Sequence, residues 1–424
     1  MKILKLSGIP PFLLICLLLL SAADPSILKN EIVLSPGSGL MTEAIGSAID
    51  QCAAKGGGTV RFSKGVFHSG TIVLKPNVTL LLDSGVILRG SDQYSDYRND
   101  AFIYGKDLTN IAIIGKGTID GVDCVNPKGE EGFRGPHCIR LVNCDGIVLK
   151  EITIVRSANW AINCRYCKNG TVENVNIRGG HDGLHTRFCE NFTVSGCDFR
   201  TGDDAFAGND NQNFTISNCK INTSCNGFRM GCLNISVKQC RFWGPGESVH
   251  KIQKRNNMLA AFVHFSPKDE NPKSISGNWI IEDCTIDNVD NFYNYNYESG
   301  LWQTGKPATS LKFKNIKATN LLNAFAIVGD AQRQLELSVT NSSFSFREGA
   351  SNPETFEGAR FASDAFFNAT NFGMIVLKNV TLQKSGNMPL IVLNAGNELK
   401  IDGLFPDNAL STGQFTNIKQ VIKQ

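Results

Sequence analysis

The 424-residue sequence carries no excess of one charge. Its net charge is +3 and its basic residues are dispersed, so neither nucleic acid nor an anionic membrane is expected as a partner. The densest cationic stretch, His250-Lys-Ile-Gln-Lys-Arg255, is short and reads as a solvated loop rather than a ligand site. Long apolar runs are missing too. The single run, Phe12 to Leu20, follows Met1-Lys-Ile-Leu-Lys5 and precedes Ser21-Ala-Ala23. It is too short for a permanent span and reads as a secretory signal peptide, residues 1–23. Lipid attachment through Cys16 is disfavoured because Ile15 is a poor small-residue neighbour. No Pro/Ser-rich linker divides the remainder, so residues 24–424 are expected to form a single domain. Cys164-x-x-Cys167 has no second pair to complete a zinc site, and no nucleophile-elbow sequence supports a Ser/His/Asp set. No metal or cofactor is expected.

What the chain does have is a phrase that recurs. Asn191-Phe-Thr-Val-Ser-Gly-Cys-Asp-Phe199, Asn213-Phe-Thr-Ile-Ser-Asn-Cys-Lys-Ile221 and Asn234-Ile-Ser-Val-Lys-Gln-Cys-Arg-Phe242 begin 22 and 21 residues apart. Looser copies begin at Asn77, Asn110, Asp145, Asn169 and Asn278. A fixed period means stacked units. Val/Ile/Phe alternating with Thr/Ser/Lys has the period of a strand. Short strands with Gly/Asn turns at this interval predict an all-β, single-stranded, right-handed parallel β-helix, whose coils rest on one another about 4.8 Å apart. Residues 38–55, with Met41, Ile45, Ile49 and Cys52 on one face, predict a helix that caps the first coil. The step from Asn234 to Asn278 reads as two coils with a long excursion at 243–276. A second loop is expected at 291–302. Asn-x-Ser/Thr triplets such as Asn77-Val-Thr79 fall inside the phrase and follow from coil architecture.

Thirteen cysteines remain after the signal. Cys197, Cys219, Cys240 and Cys284 hold one place in successive coils and are expected to form a buried ladder. Cys124/Cys138, Cys164/Cys167 and Cys225/Cys232 are the local disulfide candidates, consistent with export.

Three carboxylates stand out. His181-Asp182-Gly183 precedes the Asn191 phrase and Thr201-Gly-Asp-Asp204 precedes the Asn213 phrase, at offsets of 9 and 10 residues for Asp182 and Asp203. Neighbouring coils would therefore bring Asp182, Asp203 and Asp204 together, with a backbone bend at Gly202 letting the adjacent pair share a face. Mutual repulsion would keep one carboxyl protonated beside ionised ones, which is what glycosidic hydrolysis uses. Turn capping by Asp-Asp is the plain structural alternative. A β-helix lyase is another, with Arg178, Arg187 or Arg229 as base.

Asp182-Gly183 followed by Gly202-Asp-Asp204 resembles the catalytic motif of the polygalacturonases, glycoside hydrolase family 28, which degrade pectin on a pectin-lyase-like β-helix. Gly56-Gly-Gly-Thr-Val-Arg-Phe62, Asn77-Val-Thr-Leu-Leu-Leu82, Gly115-Lys-Gly-Thr-Ile-Asp-Gly121 and Ser157-Ala-Asn-Trp160 resemble further markers of that family, in order, over roughly Gly56 to Cys240. The resemblance implies a secreted or periplasmic, monomeric, inverting hydrolase of a pectin-like polysaccharide. It implies Asp203 as general acid and Asp182 and Asp204 as the pair that activates water. The departures are as telling. His181 stands where the family has Asn, Asn226 replaces the His of its Gly-His-Gly motif, and Asn209 replaces a Lys. Its Arg-Ile-Lys motif has no counterpart in Asn256 to Phe265. The missing cations bind the uronate carboxylate in the family, so altered sugar choice is expected. His181, His185, Asn209, Asn226 and Arg229 are the candidate substrate contacts. A lyase or a non-catalytic glycan-binding protein remains the alternative.

Overall fold

The computed structural model describes residues 30–348, 365–383, 389–406, 409 and 411–423. The signal segment and its expected cleavage site lie outside them. Every strand pairing among the described strands is parallel, and each joins one coil to the next. Ile162–Arg165, Lys168–Glu173 and Asn176–Gly179 make three sides of one coil; Leu184–Arg187, Glu190–Ser195 and Asp198–Thr201 make the next. Ile162 pairs with Leu184, Lys168 with Glu190 and Asn176 with Asp198, a uniform 22-residue step. The fold is the expected right-handed parallel β-helix.

The repeat phrase explains the cross-section. Asn77, Asn110, Asn169, Asn191, Asn213, Asn234 and Asn278 all take positive φ, a backbone that Asn tolerates better than most residues. They turn one corner of each coil. Their amides then bond from coil to coil, Asn191 to Asn169 at 3.2 Å, Asn213 to Asn191 at 2.9 Å and Asn234 to Asn213 at 2.9 Å. After the corner, alternate residues turn inward. Phe192 stacks on Phe214 with centroids 5.2 Å apart, and Phe206 on Phe228 at 4.4 Å. One continuous apolar core runs from Ile45 to Ala409. The helix Thr42–Ala54 buries Ile45, Ala48, Ile49 and Cys52 against the first coil. No helix among the described residues is long and apolar enough to cross a membrane.

Two expectations need correction. Ile235 pairs directly with Trp279, and the Asn278 amide bonds Asn234 at 3.1 Å. The 44-residue interval is therefore a single coil swollen by excursions after Trp243 and after His264, not two coils. The cysteines differ as well: no disulfide joins the thirteen described cysteines, all of which are buried. Several of the thiols expected to bridge have other partners. Cys124 donates to the Asp92 carbonyl and Cys167 to that of Leu141, while the Cys225 sulfur accepts from the amide of Asn226. In the ladder, Cys197 donates to Val172 O at 3.5 Å and Cys219 to Ser217 O at 3.3 Å.

Candidate active site

Asp182 lies just before the strand Leu184–Arg187, and Asp203 and Asp204 just before the strand Phe206–Ser217. The register refines the expected stacking. Leu184 pairs with Phe206 and Gly183 N donates to Asp204 O at 2.9 Å. Asp204 is thus the coil-to-coil neighbour of Asp182, and Asp203 is level with His181. At Gly202 a Cβ would lie 2.6 Å from both Gly180 O and Val249 O, so only glycine lets the chain turn there. Oxygen atoms of all three carboxylates lie within 4.8 Å of one another.

The three acids have unlike surroundings. Asp204 is fully buried. It accepts from Asn226 Nδ2 at 2.6 Å, from Asn226 N at 3.2 Å and from Arg229 Nε. Burial opposes the charge on the Arg229 guanidinium, but Asp204, Asp182 and Asp203 outweigh it and raise its pKa. The guanidinium is also stacked, 4.1 Å from the Phe265 ring and 5.4 Å from that of Trp302.

Asp182 is 2 % exposed. His185 Nδ1 meets its Oδ2 at 2.9 Å, and its Oδ1 has no partner. Burial first, then the charges of Asp203 and Asp204, push its pKa well above the carboxylate range. His185 lies flat on Trp160, centroids 3.6 Å apart, and burial drives its pKa well down. Burial likewise lowers His181 to about 3, so both imidazoles are neutral at physiological pH.

Burial opposes the charge on Asp203 too, but the His250 contact and the fields of His250, Arg229 and Arg134 win and hold its pKa below the ordinary range. The surroundings thus favour the proton on Asp182 and the charge on Asp203. Coupled acids share such a proton between them. Asp203 has the most accessible of the three carboxylates, its side chain 17 % exposed against 1 % for Asp182 and none for Asp204.

The acids open on a cavity of about 430 Å³ lined by Glu130, Glu131, Arg134, Trp160, Asp182, Asp203, Arg229, His250 and Trp302, among others. A second, of about 260 Å³, adjoins it. It shares Trp160, Arg229 and Trp302 and adds Arg165, His185, Arg187, Phe265, Asp269 and Glu270. Paired aromatic faces above buried acids suit pyranose rings, which present C–H faces to π-systems.

Of the residues expected at the site, Asp182, Asp203, Asp204, His185, Asn226 and Arg229 come together and His181 lies beside them. Asn209 does not line either cavity. It is buried, with its amide on Asp210 Oδ2 at 2.9 Å. Asn226 is likewise committed to Asp204. The reading of residues 250–255 as a solvated loop is overturned at its first residue. His250 is 5 % exposed and its Nε2 lies 3.5 Å from Asp203 Oδ2. Arg134, Trp160, His250 and Trp302 were not among the expected site residues. Ser157-Ala-Asn-Trp160 had drawn notice only as a family marker; the other three come from loops whose destination no repeat dictates. Donor atoms of Asp203, Cys225 and His250 lie within 4.8 Å of one another. Yet Ile252 N and Gln253 N both donate to His250 Nδ1, which places the ring proton on Nε2 and leaves that nitrogen no lone pair for a cation.

Fold and site define a right-handed parallel β-helix with a carboxylate cluster in an aromatic cleft. Residues 52–234 match the family model described as "Glycosyl hydrolases family 28", and in that segment the chain is similar to this family. It is 33 % identical over 119 residues to an endo-polygalacturonase of Pectobacterium carotovorum subsp. carotovorum, covering 24 % of this chain and 29 % of the relative. It is 37 % identical over 158 residues to a polygalacturonase of Ralstonia solanacearum, covering 28 % and 30 %. The chain thus spans less than a third of the length of these curated relatives. Among solved structures, a hyperthermoactive exopolygalacturonase from Thermotoga maritima superposes with a TM-score of 0.63 at 16 % identity, over 85 % of this chain and 94 % of that one. A polygalacturonase from Erwinia carotovora ssp. carotovora gives 0.54 at 17 %, over 95 % and 98 %. At these identities the likeness is one of fold.

Proposed function

We propose that the protein is a secreted glycoside hydrolase that cleaves glycosidic bonds in pectin-like plant polysaccharide. The observation that carries this reading is the carboxylate cluster, three acids with oxygens within 4.8 Å of one another, whose surroundings favour the proton on Asp182 and the charge on Asp203. Hydrolysis needs both states at once. Asp203, the most accessible of the three, protonates the departing glycosidic oxygen, drawing on the proton that the cluster shares. Asp182 and Asp204 orient and deprotonate the attacking water. Arg229 and Asn226 fix the orientation of Asp204 through their hydrogen bonds to its two oxygens.

The sugar accepted is not the family's uniform polyuronate. Arg134, Arg187 and Arg229 are each paired with a carboxylate of this chain, Glu131, Glu270 and Asp204 in turn. Of the guanidiniums lining the two cavities only Arg165 has no ion pair among the described residues. Glu130, Glu131, Asp269 and Glu270 also face the cleft. A lining so neutralised favours a neutral or alternating pectic backbone or side chain over a run of galacturonate.

The family resemblance supports inversion at the anomeric carbon. The acids, however, are closer than the roughly 6.5–9.5 Å usual for an inverting pair, and that spacing favours a covalent, retaining route as the second reading. Proton NMR of the first-formed product distinguishes them, since inversion and retention release opposite anomers. The reading as a whole is tested by digesting a panel of pectic and neutral oligosaccharides with the wild type and with Asp203→Asn. Reducing ends released by the wild type and not by the variant support it. Binding without release across the panel, or a UV-absorbing unsaturated product, would replace it with a glycan-binding protein or a lyase.

A further inference from the structure

The segment 244–257 leaves the β-helix and returns, and it is pinned where it passes the acids. Ser224 Oγ donates to Ser248 O at 2.5 Å, Ser248 Oγ to Arg200 O at 3.0 Å, and Glu247 N to Asn222 Oδ1 at 2.7 Å. Arg255 holds the far end through the Ser224 carbonyl, and Lys251 reaches across to Asp123 Oδ2 at 3.3 Å. Between these anchors sits His250, buried, its two ring nitrogens used differently. Nδ1 accepts from Ile252 N at 3.2 Å and Gln253 N at 3.0 Å. Nε2 faces Asp203 Oδ2 at 3.5 Å, while Asp203 Oδ1 accepts from Asp204 N at 3.0 Å.

We propose that His250 is a positioning residue of the active site, a loop-borne imidazole whose fixed tautomer aims Nε2–H at the Asp203 carboxylate and holds it in the orientation from which it meets the substrate. This rests on the reading of Asp203 as a working acid. It goes beyond it by assigning control of that acid to a residue outside the matched segment 52–234. The two nitrogens do separable jobs. Nδ1 closes the turn of the loop; Nε2 acts on the acid. The other charges that face Asp203 are Asp182 on the preceding coil, Asp204 next to it in sequence, Arg229 on the following coil, and Arg134 on a loop. His181 faces it as a neutral ring. Around His250 stand Asp203, His181, Lys251 and Arg255.

Two substitutions separate the jobs. In His250→Asn the side-chain oxygen can still accept from the backbone N–H groups two and three residues on, but nothing reaches Asp203. In His250→Gln the amide N–H₂ takes the place of Nε2–H, and the acceptor for the turn is gone. The expectation is that His250→Asn keeps the wild-type fold and KM, loses about ten- to hundred-fold in kcat, and moves the basic limb of the kcat profile, which reports the protonated general acid, to higher pH. His250→Gln should recover much of kcat and the wild-type limb despite a lower melting temperature. The same shift is read without turnover from the titration of the Asp203 carboxyl by 13C NMR in aspartate-labelled protein, upward in His250→Asn and unmoved in His250→Gln. A His250→Asn enzyme with wild-type kcat and an unmoved Asp203 titration would overturn the proposal and leave His250 a loop cap. Absence of any wild-type hydrolysis would count against the proposed function, while the titration would still decide the role of His250.

Discussion

Replacing Asp182 by Asn separates stability from activity. Asp182 is buried, one of its oxygens has no partner, and Asp203 and Asp204 stand within 4.8 Å. Burial and these charges raise its pKa in the fold. A carboxyl of raised pKa favours the folded state fully only below the unfolded value, about 3.9. As pH rises from there toward the folded value, the unfolded chain releases the proton and the folded one keeps it, so stability falls. The slope is about 1.4 kcal/mol per pH unit. Asn resembles the protonated acid in shape and never ionises, so the variant escapes this loss. Between pH 5 and pH 7 the advantage of Asp182→Asn over wild type should grow by up to about 2.7 kcal/mol. At roughly 2.1 cal/mol/K per residue of unfolding entropy over some 400 residues, that is about 3 °C in melting temperature. Thermal unfolding of both proteins from pH 4 to pH 8 is the assay, and turnover by the variant should fall at least a hundred-fold. A melting difference that stays flat across this range, or that turns against the variant as pH rises, would refute the placement of the proton on Asp182.

Other outcomes follow from the same structure. Asp203 has the opposite sign: its folded pKa is lowered, so its contribution to stability is present above about pH 4 and is lost as the pH falls through the folded value. Asp203→Asn should accordingly melt below wild type at pH 7, and the gap should begin to narrow only as the pH falls below about 4 toward the folded value. Arg229→Leu leaves Asp204 buried without its cation and should cost about 3–5 kcal/mol; restored stability in Arg229→Leu/Asp204→Asn would identify the lost pair as the cause. Trimming Phe228, sandwiched between Phe206 and Phe262, to Ala should cost about 3–5 kcal/mol, read by denaturant unfolding. Thiol titration in denaturant without reductant should give the same count as with it, because no disulfide joins the described cysteines; a lower count would restore a disulfide.

The scaffold was readable because its physics is local and periodic. Asn at a left-handed corner, alternating inward residues and a cysteine on the next side repeat every coil, so register follows from counting. Counting also brought Asp182 and the Asp203–Asp204 pair together, although it paired Asp182 with Asp203 where the register pairs it with Asp204. What counting could not supply are contacts made by segments that leave the coil. His250 reaches Asp203 from 47 residues away and Lys251 reaches Asp123 from 128 residues away, and neither partner is signalled by spacing. The same excursions disguised one coil as two between Asn234 and Asn278. Asn209 failed as a cleft residue for a different reason. A register irregularity between Gly208 and Asn211 breaks the alternation that would have aimed it outward, and its side chain turns to Asp210.

Digestion of defined pectic oligosaccharides in 18O-labelled water, with mass analysis of every product, bears most directly on whether this carboxylate cluster hydrolyses a glycosidic bond. Wild type should place one labelled oxygen on each new reducing end, and Asp203→Asn should release none. Unlabelled, unsaturated ends, or equal labelling by the variant, would contradict it.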